Sequence, residues 1–90
     1  MAERYEIVVK VVSQKGTCVY GHKVGDEWTI QRLTPGGICL GAFNNFYPFF
    51  RVLNFGGGFP YEKDPSVTRV ACPDPNNPAV FELRRGAKID

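Results

Sequence analysis

The sequence predicts an α+β fold, in which a small antiparallel sheet of about four strands carries one aromatic-rich helix on one face, in the order ββαββ. Two segments with alternating apolar residues precede a segment with helical spacing, and two further alternating segments follow it. The 90 residues, 10.1 kDa in mass, allow one hydrophobic core. Residues 1–90 are therefore expected to form a single domain.

The strand prediction rests on alternation along the chain. In residues 5–12, β-branched side chains fall on one face, while Glu6 and Lys10 fall on the other. Shorter segments with the same character are bounded by residues that favour turns, such as glycine, proline and asparagine. These further predicted strands are residues 27–33, 67–72 and 79–84.

The helix prediction rests on apolar side chains that recur at steps of three and four across residues 39–55. Pro48 lies inside this segment, and proline lacks the amide hydrogen and clashes with the preceding turn, so the helix is expected to be kinked or split there. The aromatic side chains here and in the glycine-rich loop that follows are too many for one buried stripe. We expect some of them to line a pocket or to contact a second copy or another protein. The candidates are Phe46, Phe49, Phe50, Phe55 and Phe59.

The composition excludes several classes of function. Lys and Arg total 11 against 9 Asp and Glu, and a net charge of +2 is too small to indicate nucleic acid as a partner. No apolar stretch is long enough for a membrane helix, and the N-terminus lacks the pattern of a secretory signal. The three cysteines are an odd number, which fits reduced thiols better than a disulfide scaffold. A cytoplasmic protein is expected.

Four residues stand out as a possible metal-ligand set: Cys18, His22, Cys39 and Cys72. Apart from Met1 they are the soft or borderline donors of the sequence, and a Cys₃His set suits zinc or an iron–sulfur cluster such as [4Fe–4S]. Cys18 and His22 share one glycine-containing loop, and Cys39 falls at the expected start of the helix. Folding would have to bring the three chain segments together.

Other interpretations of these residues stay open. The cysteines could be small buried hydrophobic side chains, and His22 could be a loop residue bonded to the backbone. Asp26 could supply a further ligand or simply order the loop. A Cys–His enzyme would need a recognisable oxyanion hole, and none is identifiable, so the sequence does not point to an enzyme. Because its loop is expected near the surface, replacing His22 should be almost silent when no metal is bound.

The landmarks together resemble a known family. They run from Cys18-x₂-Gly-His-Lys-x-Gly-Asp through Cys39-x₂-Ala-Phe and Phe55-Gly-Gly to Ala71-Cys-Pro-Asp. This pattern is similar to that of a family of small uncharacterised prokaryotic proteins, common in anaerobic bacteria and archaea. Leu40 stands where a proline often follows the second cysteine in similar sequences. The resemblance implies that the cysteines and the histidine belong together, and the link with anaerobes favours an iron–sulfur centre over zinc.

Two functions follow from these observations. The first is a small metal-binding accessory protein, in which the Cys₃His set holds zinc or a [4Fe–4S] cluster with a structural or electron-transfer role. The alternative is a metal-free module that binds a small molecule or a protein, with cysteines that serve packing. A homo-oligomer or a protein partner is expected in either case.

Overall fold

The protein folds as a four-stranded antiparallel sheet with one helix packed against one face, as the sequence predicts. The structure is a computed structural model, and it describes residues 3–89. The order ββαββ and the α+β class are both confirmed. The elements are β1 (Tyr5–Gln14), β2 (Glu27–Ile30), α1 (Leu40–Asn54), β3 (Val67–Ala71) and β4 (Ala79–Lys88).

The two long strands occupy the centre of the sheet, in the order β2-β1-β4-β3, and all neighbours are antiparallel. The chain leaves the sheet at the β2 edge, runs through α1, and returns at the β3 edge. Since β1 and β4 are antiparallel, the end of β1 lies beside the start of β4, with Gln14 opposite Ala79. The loop between β1 and β2 and the loop between β3 and β4 therefore meet at one end of the sheet.

The core lies between the sheet and α1, because alternation directs every second side chain of β1 and β4 toward the helix. Along β1, Ile7, Val9 and Val11 are completely buried, and Phe81 and Leu83 of β4 are buried beside them. Apolar residues at helical spacing complete the core from the other side. These residues of α1 are Ala42, Phe46, Phe50 and Leu53.

Three of the five aromatic candidates for a contact surface belong to this core. Phe46, Phe50 and Phe59 are at most 8% exposed. Phe46 and Phe50 lie on the side of α1 that faces the sheet, and Phe59 packs against the core from the loop after the helix. They offer no accessible surface to a partner in this conformation. Phe49 is half-buried against the core, while Phe55 is 44% exposed.

The helix is continuous through Pro48, so of the two expected forms, a kinked or a split helix, the split one is excluded. Proline removes the hydrogen bond that the carbonyl of Asn44 would otherwise accept. Both residues lie on the exposed side of α1, where water can bond that carbonyl, and the buried side keeps its packing. Within residues 3–89, no helix combines the length and apolar character needed to span a membrane.

The strand lengths differ from the prediction. The outer strand β2 ends at Ile30 rather than residue 33, whereas β1 extends to Gln14 and β4 to Lys88. The long strands pair with each other from Tyr5 opposite Lys88 to Gln14 opposite Ala79, with two register shifts on the way. Backbone pairing therefore continues through polar residues that show no apolar alternation.

The face of the sheet opposite α1 carries a row of alternating charges. Lys10 lies directly opposite Glu27 on one side and Glu82 on the other, and Arg69 lies opposite Glu82. The Arg69 guanidinium is 3.6 Å from the Glu82 carboxylate. Opposite charges at directly paired positions stabilise a sheet. The row thus crosses all four strands on the open face.

Replacing Lys10 with glutamate should destabilise the protein, because three carboxylates would then occupy adjacent register positions. We expect the free energy of unfolding to fall by about 1 kcal/mol, less at high salt, as measured by urea denaturation at two ionic strengths. Lys15→Glu is the matched control, since it changes the charge by the same amount at an exposed position in a loop. Equal losses in the two variants would show that the row contributes nothing.

A buried asparagine joins the end of α1 to the first strand. The Asn54 side chain, 1% exposed, donates from Nδ2 to the backbone carbonyl of Tyr5 at 2.8 Å and accepts from Arg51 at 3.0 Å. Both ends of its amide are satisfied, as a buried polar group requires. The contact fixes where the helix ends relative to β1.

Asn54→Ala should leave the Tyr5 carbonyl without its buried donor. The expected loss is about 1–3 kcal/mol in the free energy of unfolding, measured by chemical denaturation. Asn44→Ala, an exposed change on the same helix, should be neutral or slightly stabilising because alanine favours helix. A midpoint for Asn54→Ala equal to that of wild type would contradict this role.

Candidate functional site

All four predicted ligand residues line one cavity, at the end of the sheet where the two loops meet the start of α1. The cavity measures about 270 Å³, and Cys18, His22, Cys39 and Cys72 approach it from three separate parts of the chain. Most of the remaining wall is apolar. It includes Val19, Tyr20, Ala42, Pro73, Ala79 and Phe81.

The loop that carries His22 is anchored to β1 by backbone hydrogen bonds. The N–H of Gly25 donates to the Val11 carbonyl, and the N–H of Val11 donates to the carbonyl of Asp26, both at 2.9 Å. Gly25 has φ of 100°, which favours glycine, and the Asp26 carboxylate accepts the N–H of Lys23 at 3.0 Å. Of the two roles predicted for Asp26, this geometry supports ordering of the loop.

The segment around Cys18 is tied to the loop between β3 and β4. The N–H of Thr17 donates to Oδ1 of Asn77 at 3.2 Å, and Gly16 lies so close that a Cβ there would overlap the same oxygen. A turn follows, in which the N–H of Gly21 donates to the Cys18 carbonyl at 3.0 Å. These contacts hold Cys18 beside the loop that begins at Cys72.

His22 is buried, with 8% of its surface exposed, so the expectation of a surface position is wrong. Its ring stands nearly perpendicular to Trp28 and Phe81, at centroid distances of 5.4 and 5.8 Å. The backbone N–H of Cys39 donates to Nε2 of His22 at 3.0 Å. The histidine therefore joins the loop to the start of the helix.

This hydrogen bond limits what the imidazole can do. A neutral imidazole has one acceptor nitrogen, and here Nε2 already accepts from Cys39. The other nitrogen then carries the proton and has no lone pair to offer. Coordination of a metal by His22, as predicted, would require this hydrogen bond to break.

The thiol of Cys39 stands at the first turn of α1. Cys39 is the residue that precedes the helix, its carbonyl accepts the N–H of Phe43 at 2.9 Å, and no side chain caps the first turn. Gly41 permits a close approach on this side. A Cβ there would lie 3.3 Å from Cγ of Pro73 and 3.8 Å from Sγ of Cys39, so the helix start packs directly against the residue after Cys72.

The sulfur of Cys72 accepts a backbone hydrogen bond. The N–H of Ala79 donates to Sγ at 3.2 Å, and the N–H of Cys72 donates to the Ala79 carbonyl at 2.8 Å. This pair continues the β3–β4 ladder by one step, with sulfur in place of one carbonyl. Backbone hydrogen bonds to ligand sulfurs are among the groups that tune iron–sulfur centres.

The donors share the cavity without converging on one point. All three thiols are half-buried, and none of them forms a disulfide bond. In the part of the chain from 3 to 89, no three side chains of His, Cys, Asp or Glu are arranged to hold a metal ion in this conformation. Binding of a single ion would therefore need movement of the side chains.

Sequence analysis did not identify three residues that shape the site. Trp28 and Phe81 contact each other and both pack against the imidazole, and Asn77 connects the two loops. Trp28 and Phe81 resemble ordinary alternating strand residues. For Asn77, the local sequence does predict a turn, since Asp74 is a residue type that favours turns. In the structure, Oδ1 of Asp74 accepts the N–H groups of Asn76 and Asn77.

No family model matches the chain, and no curated protein or solved structure matches it at a significant level. A functional proposal therefore depends on the residues of the cavity themselves, on their chemistry and on their contacts.

His22→Ala should destabilise the metal-free protein, because it leaves the Cys39 N–H without an acceptor and removes a ring that packs against Trp28 and Phe81. We expect a loss of about 1–3 kcal/mol in the free energy of unfolding, measured by urea denaturation with a chelator present. Lys23→Ala, an exposed change at the next residue, should leave it nearly unchanged. An unchanged midpoint for His22→Ala would contradict the structural role of this histidine.

Proposed function

We propose that the protein is a small metal-binding accessory protein, whose cavity holds an iron–sulfur cluster through Cys18, Cys39 and Cys72. One observation carries the proposal: three unpaired thiols from separate chain segments line a single cavity. Thiolates are the usual ligands of iron–sulfur clusters. Two of the three, Cys39 and Cys72, also pack against the hydrophobic core.

The donor set favours a cluster over zinc. Nε2 of His22 already accepts the Cys39 N–H, which leaves the three thiols as donors. A closed zinc site of the Cys₃His type would need this imidazole nitrogen as its fourth ligand. Thiolates alone are the usual ligands of a cluster.

A cluster in this place would be structural or would transfer electrons, and the thiols would need a reducing compartment such as the cytoplasm. Large apolar side chains beside the cavity support contact with a protein partner or a second copy. Tyr20 is 73% exposed and Val19 78%, and both line the cavity, while Leu40 at the helix start is 85% exposed.

Anaerobic purification followed by iron and sulfide analysis tests the proposal. We expect a brown protein that contains iron and acid-labile sulfide, and Cys39→Ala or Cys72→Ala should lose most of both. Val70→Ala is the control, because it also shortens a half-buried side chain of similar size but lies outside the cavity wall. Colourless wild-type protein without iron after anaerobic reconstitution would overturn the proposal. If the purified protein instead contains one zinc ion per chain, the site is a zinc site and the cluster is wrong.

The apolar wall favours a second candidate, a metal-free module for a small molecule. Ala42, Pro73, Ala79 and Phe81 would contact an apolar ligand. The cavity is slightly smaller than the range of about 300–1,000 Å³ that is typical of sites for drug-sized ligands. Metal-free protein in which a small molecule raises the melting temperature would favour this function.

A further inference from the structure

We infer that two copies of this chain pack together through the faces of their sheets opposite α1, related by a two-fold axis that runs parallel to the strands between β1 and β4. The inference does not depend on a cluster in the cavity. It rests on the order of the charges across this face, which fits a second copy of the same face.

The charges of this face alternate in sign across all four strands. From β2 to β3 they are Glu27, Lys10, Glu82 and Arg69, and each lies directly opposite the next in the register. Glu27, Lys10 and Arg69 are exposed. The carboxylate of Glu82 lies 3.6 Å from the Arg69 guanidinium and 3.3 Å from that of Arg84. The row has two charges of each sign, so it is neutral and does not repel a second copy.

An alternating row with an even number of positions is complementary to itself under this axis. The axis places β2 of one copy over β3 of the other, and β1 over β4. Glu27 then meets Arg69 of the second copy, and Lys10 meets Glu82 of the second copy. An axis along the row would instead place each charge over its own counterpart. Because opposite charges across an interface fix the orientation of the partners, the row selects the axis parallel to the strands.

The neighbouring positions of the face fit the same arrangement. In the next row, Val8 lies opposite Thr29 and Arg84, and Val67 lies opposite Arg84 on the other side. The axis places Arg84 over Val8 of the second copy, where the aliphatic part of the arginine can pack on the valine. Val8, Val67 and Val80 are half-buried within one copy, so the row of charges has apolar surface on both sides.

The size of the face predicts a weak dimer. Four strands, of which the central two have ten residues, give each copy a flat face of at most about 600 Å², which is small for a specific interface. Twisted sheets pack face to face at about 30°, which displaces the outermost charges by only about 4 Å. The long side chains of Glu27 and Arg69 can span this displacement. Since exposed charge pairs are screened by salt, the dimer should dissociate as the ionic strength rises.

Sedimentation equilibrium of the wild-type protein at low and high ionic strength tests the dimer without any variant. The protein is kept anaerobic with a reductant, so that no disulfide links two copies. We expect a reversible dimer at low salt, with a dissociation constant that rises about tenfold or more at high salt. A monomer at low salt and about 1 mM protein would overturn the inference.

Reversal of the outermost charges tests the proposed axis. Glu27 and Arg69 lie on opposite edge strands, so within one chain they are about 14 Å apart and do not pair. We expect Glu27→Lys and Arg69→Glu each to raise the dissociation constant about tenfold or more, since like charges then meet twice per dimer. The double variant reverses both signs and should return to within about threefold of wild type. Lys15→Glu, an exposed change outside the row, should leave the dissociation constant unchanged.

An equimolar mixture of the two single variants gives a second test of the same contacts. In the mixed dimer each reversed charge meets an opposite charge, so the mixture should dimerise although neither variant alone does. Urea denaturation shows whether each variant is folded. Failure of both the double variant and the mixture to recover the dimer would overturn the inference, as would a wild-type dimer that every variant leaves intact. If removal of bound metal alone dissociates the wild-type dimer, the copies meet at the cavity, and the inference is wrong while the proposed function stands.

Discussion

The antiparallel pairing of β1 with β4 is the interaction on which the rest of the structure depends. These strands are ten residues long and occupy the centre of the sheet, and each supplies one face of side chains to the core. The short edge strands and α1 pack onto this pair. Because the end of β1 lies beside the start of β4, the same pairing brings together the loop that carries Cys18 and the loop that carries Cys72.

One of the hydrogen bonds that connect that framework to the wall of the cavity joins His22 to Cys39. The loop after β1 delivers His22, and its Nε2 accepts the N–H of Cys39 at the first turn of α1. The sheet, the loop and the helix thus meet at one buried imidazole. Loss of the partner of a buried polar group costs stability, so the hydrogen bond favours this position of the ring. The histidine is for this reason part of the scaffold of the site.

The cavity combines a rigid wall with half-buried donors. Phe81 belongs to the core and forms part of the wall, so the floor of the cavity cannot move without disturbing the sheet. Cys18 lies on a loop held by hydrogen bonds to Asn77, and Cys39 begins a helix that packs on the core. The cavity is thus walled by the core on one side and by anchored chain segments on the others.

The sequence by itself determined the elements and the inventory of donors. Alternation in β1 and helical spacing in α1 are local patterns, and they identified the fold class. They did not show which aromatic side chains are buried, since Phe46, Phe50 and Phe59 belong to the core. Local patterns could not show how far backbone pairing extends, because the polar ends of β1 and β4 carry no apolar signal. The same limit applied to Pro48, whose effect depends on the side of the helix that meets water.

Only the tertiary structure decided where the donors lie. Cys18, Cys39 and Cys72 are far apart in the chain, and long-range strand pairing brings them to one cavity. The sequence placed His22 in a glycine-containing loop, which is normally exposed. Its burial comes from Trp28 and Phe81 on two different strands, and its acceptor nitrogen is used by a residue seventeen positions away. Contacts of that range have no counterpart in local sequence spacing, since they exist only once the sheet has formed.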